Sequence, residues 1–557
     1  MLEKLAQKMG LNTNPAIFFT SAALTVFFVV SAVLFTDTVD LVFGSASNWI
    51  LTHLGWLYIL GVTTFLIFLI WIAAGRYGHV RLGPPDSRPE YSNGNWFAML
   101  FAAGIGSILM FWGVAEPISH FAEPPQRNVE PESIAAAQEA MGFTLYHLGL
   151  HTWTIFCLPG LAFAYFVYRK GLPFRVSSIF HPFLGERIHG PLGRTVDIIA
   201  VLGTLFGVAV TIGLGTLQIN SGLHTLFGVE ESRLTQLILI AVVTTIAVIS
   251  VATGLDVGIK WLSTINIVMA VALLIFVFLA GSSLYLAKGV IETTGVYLQW
   301  LIPLSFWNDT FGDTGWQGSW TVFYWAWTIT WSPFVGIFIA RISKGRTIRE
   351  FVLGVLAAPT AFSIVWFSVF GLSAFDIEMN QGGELVQEVV VDEDIPGALF
   401  AFLEHYPLTT FVSAVSILIV VIFFTTSSDS ASLVVDMLCS GDAQSPTRQR
   451  VFWGITEGVV AATVLTASGV GGLDALQQTI IVFGLPFFVI GFFMMAGLVR
   501  SLQAEFAEGS GVQRERNAPL TTRARRLKRR IARGETGKRS GGRNGNGGEG
   551  RGGPPER

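Results

Sequence analysis

The sequence predicts an all-α polytopic membrane protein with twelve transmembrane helices, and three observations carry that prediction. Of 557 residues, 52% are hydrophobic and only 13% charged, whereas charged residues approach about a quarter of a soluble chain. Near-uncharged runs of about 20 residues, long enough to cross a ~30 Å hydrocarbon core as helices, recur twelve times. They centre near Leu24, Leu60, Ile108, Cys157, Gly207, Val242, Leu273, Thr330, Ser363, Leu418, Val460 and Phe488. The loops between them alternate in charge, as the cytoplasmic preference of Lys and Arg requires.

Taken in order, the first run follows only Lys4 and Lys8 and lacks a small-residue cleavage site, so it reads as a retained span with a cytoplasmic N-terminus. The second ends at Arg76, Arg81 and Arg88. The fourth ends at Arg169, Lys170, Arg175, Arg187 and Arg194, and the eighth at Arg341, Lys344, Arg346 and Arg349. These three loops are expected inside. The loop after span 9 is the opposite: Asp376, Glu378, Glu384, Glu388, Asp392, Glu393, Asp394 and Glu404 occur with no Lys or Arg between them. Both termini are therefore expected to be cytoplasmic. Between spans 7 and 8, the amphipathic segment Gly289 to Leu304 is expected as an interfacial helix on the outer face. Spans 3–7 and 8–12 make two sets of five, and because five is odd the two sets enter the membrane from opposite sides, the arithmetic of an inverted repeat. Identity between the halves is too weak to show the repeat directly.

Cys157 and Cys439 lie in opposite halves and give no disulfide framework. The net charge of -3 averages the acidic outer loop with a basic tail holding Arg514, Arg516, Arg523, Arg525, Arg526, Lys528, Arg529, Arg530 and Arg533. That tail reads as a positive-inside flank, or as a segment adsorbing to anionic lipid at about 1 kcal/mol per basic residue. Its Gly-rich end is expected to be disordered. No nucleic-acid partner is implied.

Several residues can carry chemistry. Gly104, Gly106 and Gly113 in span 3 each weaken a helix by about 1 kcal/mol. They either let helices approach closely or mark an irregular segment whose free backbone groups line a cavity. In the second case, the backbone near Gly104, Gly106 and Ser107 offers donors to the anionic end of a ligand. Trp327, Trp331 and Phe338 share a face of span 8, and Trp153 and Phe156 of span 4 are expected to face them. Ring faces hold a quaternary ammonium group, which has no N–H to donate; ordinary packing accounts for most of the other aromatics. Span 10 ends in the hydroxyl-rich run Phe423 to Ser432, suited to a hard cation or to bonding back onto the preceding turn. Asp429 and Arg341, at the inner ends of spans 10 and 8, are expected to pair or sit close as an inner gate. Glu457 reads as a snorkelling or anchoring group. His147 and His151 have the i,i+4 spacing of a metal pair but no third ligand in the motif, so no metal beyond sodium is assigned.

Two stretches carry a family resemblance: FAAGIGSILMFWGVAEP from Phe101 to Pro117, and WTITWSPFVGIFIARISKGRTIRE from Trp327 to Glu350. Together they resemble the signatures of the betaine/carnitine/choline transporter (BCCT) family, and the likeness extends over roughly Asn14 to Leu502. It implies a secondary transporter in the cell membrane, with no enzymatic activity, and a LeuT-like five-plus-five inverted repeat preceded by two extra helices. The corresponding division is 1–95 for the N-terminal tail and two peripheral helices, 96–288 for the first repeat, 289–316 for the outer helix and loop, 317–502 for the second repeat, and 503–557 for the cytoplasmic tail. Family members are commonly homotrimers, and the osmotically regulated ones use a charged C-terminal segment in activation.

The resemblance also implies site residues. Gly104, Gly106, Ser107, Trp153, Phe156, Trp327, Thr328, Trp331 and Phe338 fall at solute-binding positions. Carbonyls of Ala102, Ile105 and Phe423, with the hydroxyls of Thr426 and Ser427, fall at a sodium site; Thr211 and Phe334 are weaker candidates for a second. No Lys, Arg or Met occupies the matching positions of spans 3 and 10, as in the sodium-independent exchangers, so sodium symport is expected. The chain departs from the betaine carriers in having Ile108 for a third glycine, and Leu148 and Thr328 where two box tryptophans stand. Each lost ring face removes about 0.5–2 kcal/mol from trimethylammonium binding. The Thr328 hydroxyl can accept from an N–H, so a solute with a primary or secondary amine, or a sulfonium or sulfonate solute, competes with glycine betaine. The alternatives are a sodium-independent exchanger or a proton-coupled carrier of choline, carnitine, ectoine or taurine, and more remotely a membrane sensor or metalloenzyme.

Overall fold

The computed structural model describes residues 1–102, 106–253, 256–312, 314–442, 446–467 and 472–517. Gly104, Ile105 and the tail from 518 onward, for which roles are expected above, lie outside these. Among the described residues the chain is helical throughout, with one isolated β-bridge between Arg81 and Thr347. It divides into two compact units, Met1–Leu498 and Val499–Arg557.

Helix α1 (Leu2–Lys8) precedes α2 (Pro15–Leu34), which starts where the Asn14 side chain accepts from the Ala16 and Ile17 N–H groups and Pro15 occupies the first turn. Both features satisfy the orphan donors of a helix start. Helix α3 (Thr36–Ala74) has 39 residues, about 58 Å at 1.5 Å per residue, so it must tilt in or extend beyond a ~30 Å core. Span 3 is described as two helices, α4 (Asn93–Ala102) and α5 (Gly106–Ala122). Span 4 divides at Gly149 into α6 (Ile134–Leu148) and α7 (Leu150–Phe163). There the freed Leu150 N–H donates to the Tyr297 hydroxyl at 2.9 Å, so the break is satisfied from a neighbouring helix. After the short α8 (His181–Leu184) come α9 (Pro191–Phe227), α10 (Arg233–Thr253) and α11 (Asp256–Ala280). The amphipathic segment is α12 (Ser283–Phe306), which contains the predicted Gly289–Leu304.

A wide turn, Gly318–Val322, leads into α13 (Phe323–Ile342). Helix α14 (Ile348–Gln381) opens with a full capping box between Thr347 and Glu350, each side chain satisfying the other's backbone N–H. The short α15 (Ala398–Glu404), then α16 (Thr409–Ser440), α17 (Thr447–Ala467) and α18 (Gly472–Asn517) complete the order. Ten helical segments among the described residues are long and apolar enough to cross a membrane. Of the two other predicted runs, the one near Ile108 falls on α4 and α5, and the one near Val460 on α17, which carries Arg448, Arg450 and Glu457.

The three basic loops meet on one face. Leu82 N–H donates to Arg346 O and Gly345 N–H to Leu82 O, both at 2.8 Å, and Ile348 N–H donates to Val80 O at 2.9 Å. Arg81 Nη1 donates to Gly345 O at 2.9 Å, and Arg169 Nη1 reaches Arg81 O at 3.0 Å. Gly345 has φ +86°, and a β-carbon there would lie 2.1 Å from Arg88 O, so only glycine lets the two loops lie together. Arg346 stacks over Trp96 at 3.9 Å and donates to Asn93 Oδ1 and Tyr91 O. Cys157 and Cys439 are buried and free.

Glu457 does not snorkel. It is fully buried, and its carboxylate accepts from Ser428 at 2.9 Å and Ser432 at 3.3 Å, tying α17 to α16. Two hydroxyls one helical turn apart present a satisfied buried acceptor, which removes the need for the side chain to reach water.

Candidate functional site

Helices α7 and α13 cross at a pair of glycines. A β-carbon on Gly336 would stand 3.0 Å from Gly160 N and 3.0 Å from Pro159 Cβ, so the two backbones are in near contact. This crossing brings the span 4 and span 8 aromatics into one buried region. Trp153 and Phe156 meet edge-to-face at 5.7 Å. Trp327, 2% exposed, stacks on Phe323 at 5.7 Å, and its Nε1 donates to Thr211 Oγ1 at 3.0 Å. Thr211 in turn donates to Gly207 O at 3.0 Å. It therefore acts on α9 as the residue that orients Trp327, a role its sequence position did not show. Trp331, 3% exposed, meets Phe334 edge-to-face at 5.7 Å, while Phe338 is half-buried.

The Nε1 atoms of Trp153 and Trp331 are buried without a hydrogen-bond partner, as are those of Trp112, Trp325 and Trp453. Of these, Trp153 lies on α7, and Trp325 and Trp331 lie on α13. Leu148 is fully buried at the end of α6. Thr328 donates back to Tyr324 O at 2.7 Å and to Trp325 O at 3.2 Å, so its proton is committed to its own helix and its oxygen retains a lone pair for an incoming N–H.

Of the predicted span 3 residues, Gly106 packs directly on Phe423 of α16. Ala102 and Ser107 lie in α4 and α5. On α16, Thr426 Oγ1 donates to Ile422 O at 2.8 Å and approaches Phe423 O at 3.2 Å, and Ser427 is half-buried beside it. Phe423 O and Thr426 Oγ1 are thus neighbouring hard oxygen donors of the type a sodium ion takes.

The expected Arg341–Asp429 pair does not form. Arg341 is exposed at the end of α13, and its charge acts on Tyr168. Asp429 is buried and accepts from Ser250 of α10 at 3.2 Å. The two side chains leave their helices toward different neighbours. The His147–His151 pairing is also absent, because the break at Gly149 turns the rings apart: His147 reaches Glu116 and Thr321, and His151 reaches Ser305 at 3.1 Å.

Sequence reasoning missed Glu116 and His120. Glu116 is fully buried on α5, accepting from Tyr324 of α13 at 2.7 Å and bonded to His147 at 2.6 Å. A carboxylate inside an apolar span marks a functional candidate by default, and that signal was present in the sequence.

Long apolar helices, one of them broken at Gly149 within span 4 beside buried aromatics, define a multi-pass membrane protein. The chain belongs to the betaine/carnitine/choline family of transporters: the family's sequence profile matches residues 16–507. It is 48% identical to the ectoine/glycine betaine/proline transporter EctP of Corynebacterium glutamicum, over 91% of this chain and 83% of that relative. It is 42% identical to the glycine betaine transporter of Acinetobacter baylyi, over 91% of this chain and 76% of the relative. The high-affinity choline transport protein of Escherichia coli is 41% identical, over 88% of this chain and 72% of the relative. Membership makes the chain a transporter and not an enzyme.

Proposed function

We propose that the chain imports a small zwitterionic or quaternary-ammonium compatible solute by sodium symport. It does so through a twelve-span, LeuT-like inverted repeat formed by residues 96–288 and 317–502, as a homotrimer in the cell membrane with both termini cytoplasmic. The observation that carries the solute site is the α7–α13 crossing, where Trp153 of α7 and Trp327 and Trp331 of α13 are each buried and the indole N–H groups of Trp153 and Trp331 lack acceptors. The ring faces attract the cationic end of the solute. The unpaired indoles, with the span 3 backbone, donate to its carboxylate. Alternation of the two repeats then carries the solute past Trp331 and Phe338.

Substrate choice follows from the two replaced tryptophans. Leu148 and Thr328 leave a reduced aromatic box, but Thr328 supplies an acceptor that a trimethylammonium group cannot use. A solute carrying N–H, such as a cyclic amidinium or a secondary ammonium, gains what a quaternary one does not. The naming of the 48% identical relative for ectoine and proline as well as glycine betaine supports this breadth. Sodium is assigned to Phe423 O, Thr426 and Ser427, with Ala102 and Ile105 supplying span 3 carbonyls. An ion there would tie α5 to α16, which already meet at Gly106 and Phe423. The basic tail is assigned to the cytoplasmic membrane surface, where anionic lipid attracts it.

The test is uptake of labelled ectoine, glycine betaine, proline and choline into proteoliposomes, with an inward sodium gradient and with potassium substituted. Sodium-dependent uptake led by ectoine or proline supports the reading. Uptake that persists without sodium, or follows a proton gradient, replaces symport with exchange or proton coupling.

A further inference from the structure

Beyond the aromatic site, a second polar centre joins α5, α6 and α13. Glu116 Oε2 accepts from the Tyr324 hydroxyl at 2.7 Å, which fixes the carboxylate plane. The other oxygen, Oε1, faces His147 Nδ1 at 2.6 Å and His120 Nε2 at 3.4 Å. These three atoms all lie within 4.8 Å of one another, and all three residues are fully buried. His147 Nε2 is held by Thr321 Oγ1 at 2.8 Å. Neither ring nitrogen of His120 has a hydrogen-bond partner, an exception to the rule that buried polar atoms are paired. Trp316 and Trp320 pack on His120 at 5.0 and 4.5 Å, and Trp316 and Tyr324 stack on His147 at 5.8 and 5.0 Å.

We propose that Glu116, His120 and His147 form a binding site for a divalent transition-metal ion of the zinc class. Two imidazoles and one carboxylate are the donor set such an ion takes, whereas sodium, calcium and magnesium take oxygen. The supporting bonds are in place: Tyr324 orients the carboxylate and Thr321 orients one imidazole, as outer-sphere partners do in metal sites. Ligands at about 2.0–2.1 Å from a tetrahedral ion stand about 3.4 Å apart. His120 Nε2 already has that separation from Oε1, and His147 Nδ1 must withdraw by less than about 1 Å. The ion replaces the proton shared between His147 and Glu116, which is released to solvent. Once bound, it fixes α5 to α6 and, through Tyr324, to α13. The binding step stands independently of the solute and of sodium coupling.

The experiment titrates cobalt(II), then zinc(II), into purified full-length protein freed of its affinity tag. Visible d–d bands saturating at one cobalt per chain and abolished by zinc are expected. Binding should be at least about 10-fold weaker in His120→Ala, about 1.4 kcal/mol, with His120→Asn as the size-matched variant should the alanine protein fail to fold. Absence of saturable bands, or equal binding by the His120 variant, overturns the site.

Discussion

The phenyl ring of Phe423 occupies the space that a β-carbon on Gly106 would need: the nearest ring atom, Cε1, is 1.9 Å from that position. The glycine of span 3 is thus required by contact with the hydroxyl-rich helix of the second half. The residue whose carbonyl is assigned to sodium is also the one whose ring holds α5 against α16. Gly106→Ala should destabilise the protein by about 1–3 kcal/mol, as overpacking does, and reduce uptake by more than about 10-fold. Phe423→Leu, which keeps the carbonyl and makes room, should partly restore both in the double variant. Thermal unfolding and uptake of the single and double variants measure the coupling; strictly additive effects would show that the contact is unimportant.

Thr328→Val removes a hydroxyl at nearly constant volume. If the Thr328 oxygen accepts from an N–H of the solute, apparent affinity for ectoine and proline should fall about 10-fold, the worth of one hydrogen bond of about 1–1.5 kcal/mol. Glycine betaine, which has no N–H, should change by less than about 2-fold. Competition uptake with the three solutes provides the comparison, and a uniform loss would assign Thr328 a packing role alone.

Glu457 joins α17 to α16 through Ser428 and Ser432. Glu457→Ala strands the buried Ser428 hydroxyl, while Ser432 keeps its bond to Ser428 O at 3.0 Å, and should cost about 1–3 kcal/mol, seen as a lower unfolding temperature in detergent. Glu457→Gln retains an acceptor and should lie close to the parent. An alanine variant as stable as the parent would remove the anchoring role.

The acidic loop after α14 should become more ordered on mild acidification. Burial pushes Glu388 and Asp394 above the usual carboxylate range, and Glu404, Asp394, Glu384 and Asp392 raise Glu388 further. A carboxyl with a raised native pKa binds more protons folded than unfolded, so stability falls as pH rises from the ordinary value through the raised one and is regained on acidification. Hydrogen exchange of residues 384–404, corrected for intrinsic rate, should slow between pH 7 and pH 5. Faster corrected exchange at pH 5 would contradict the sign.

The gap between pattern and structure is instructive at particular residues. Trp327 and Trp331 were legible because helical spacing alone puts residues i and i+4 on one face, and the basic loops because Lys and Arg sort to one side of a bilayer. Arg341 and Asp429 form no ion pair, because lying toward the same end of two helices does not fix which neighbour each side chain meets. His147 and His151 have i,i+4 spacing, but Gly149 interrupts the helix between them and their rings meet different neighbours.

The sequence by itself determined that this is a helical membrane protein, where most of its spans lie, which family it belongs to, and which segments carry its aromatic and hydroxyl-rich chemistry. Those properties follow from local hydropathy, charge and motif. Only the tertiary structure decided that Thr211 orients Trp327, that Glu457 is satisfied by two serines, and that Glu116, His120 and His147 converge. Each of those joins side chains from different helices, and the distances between helices are set by side-chain packing and by glycines where backbones touch, which no local pattern encodes.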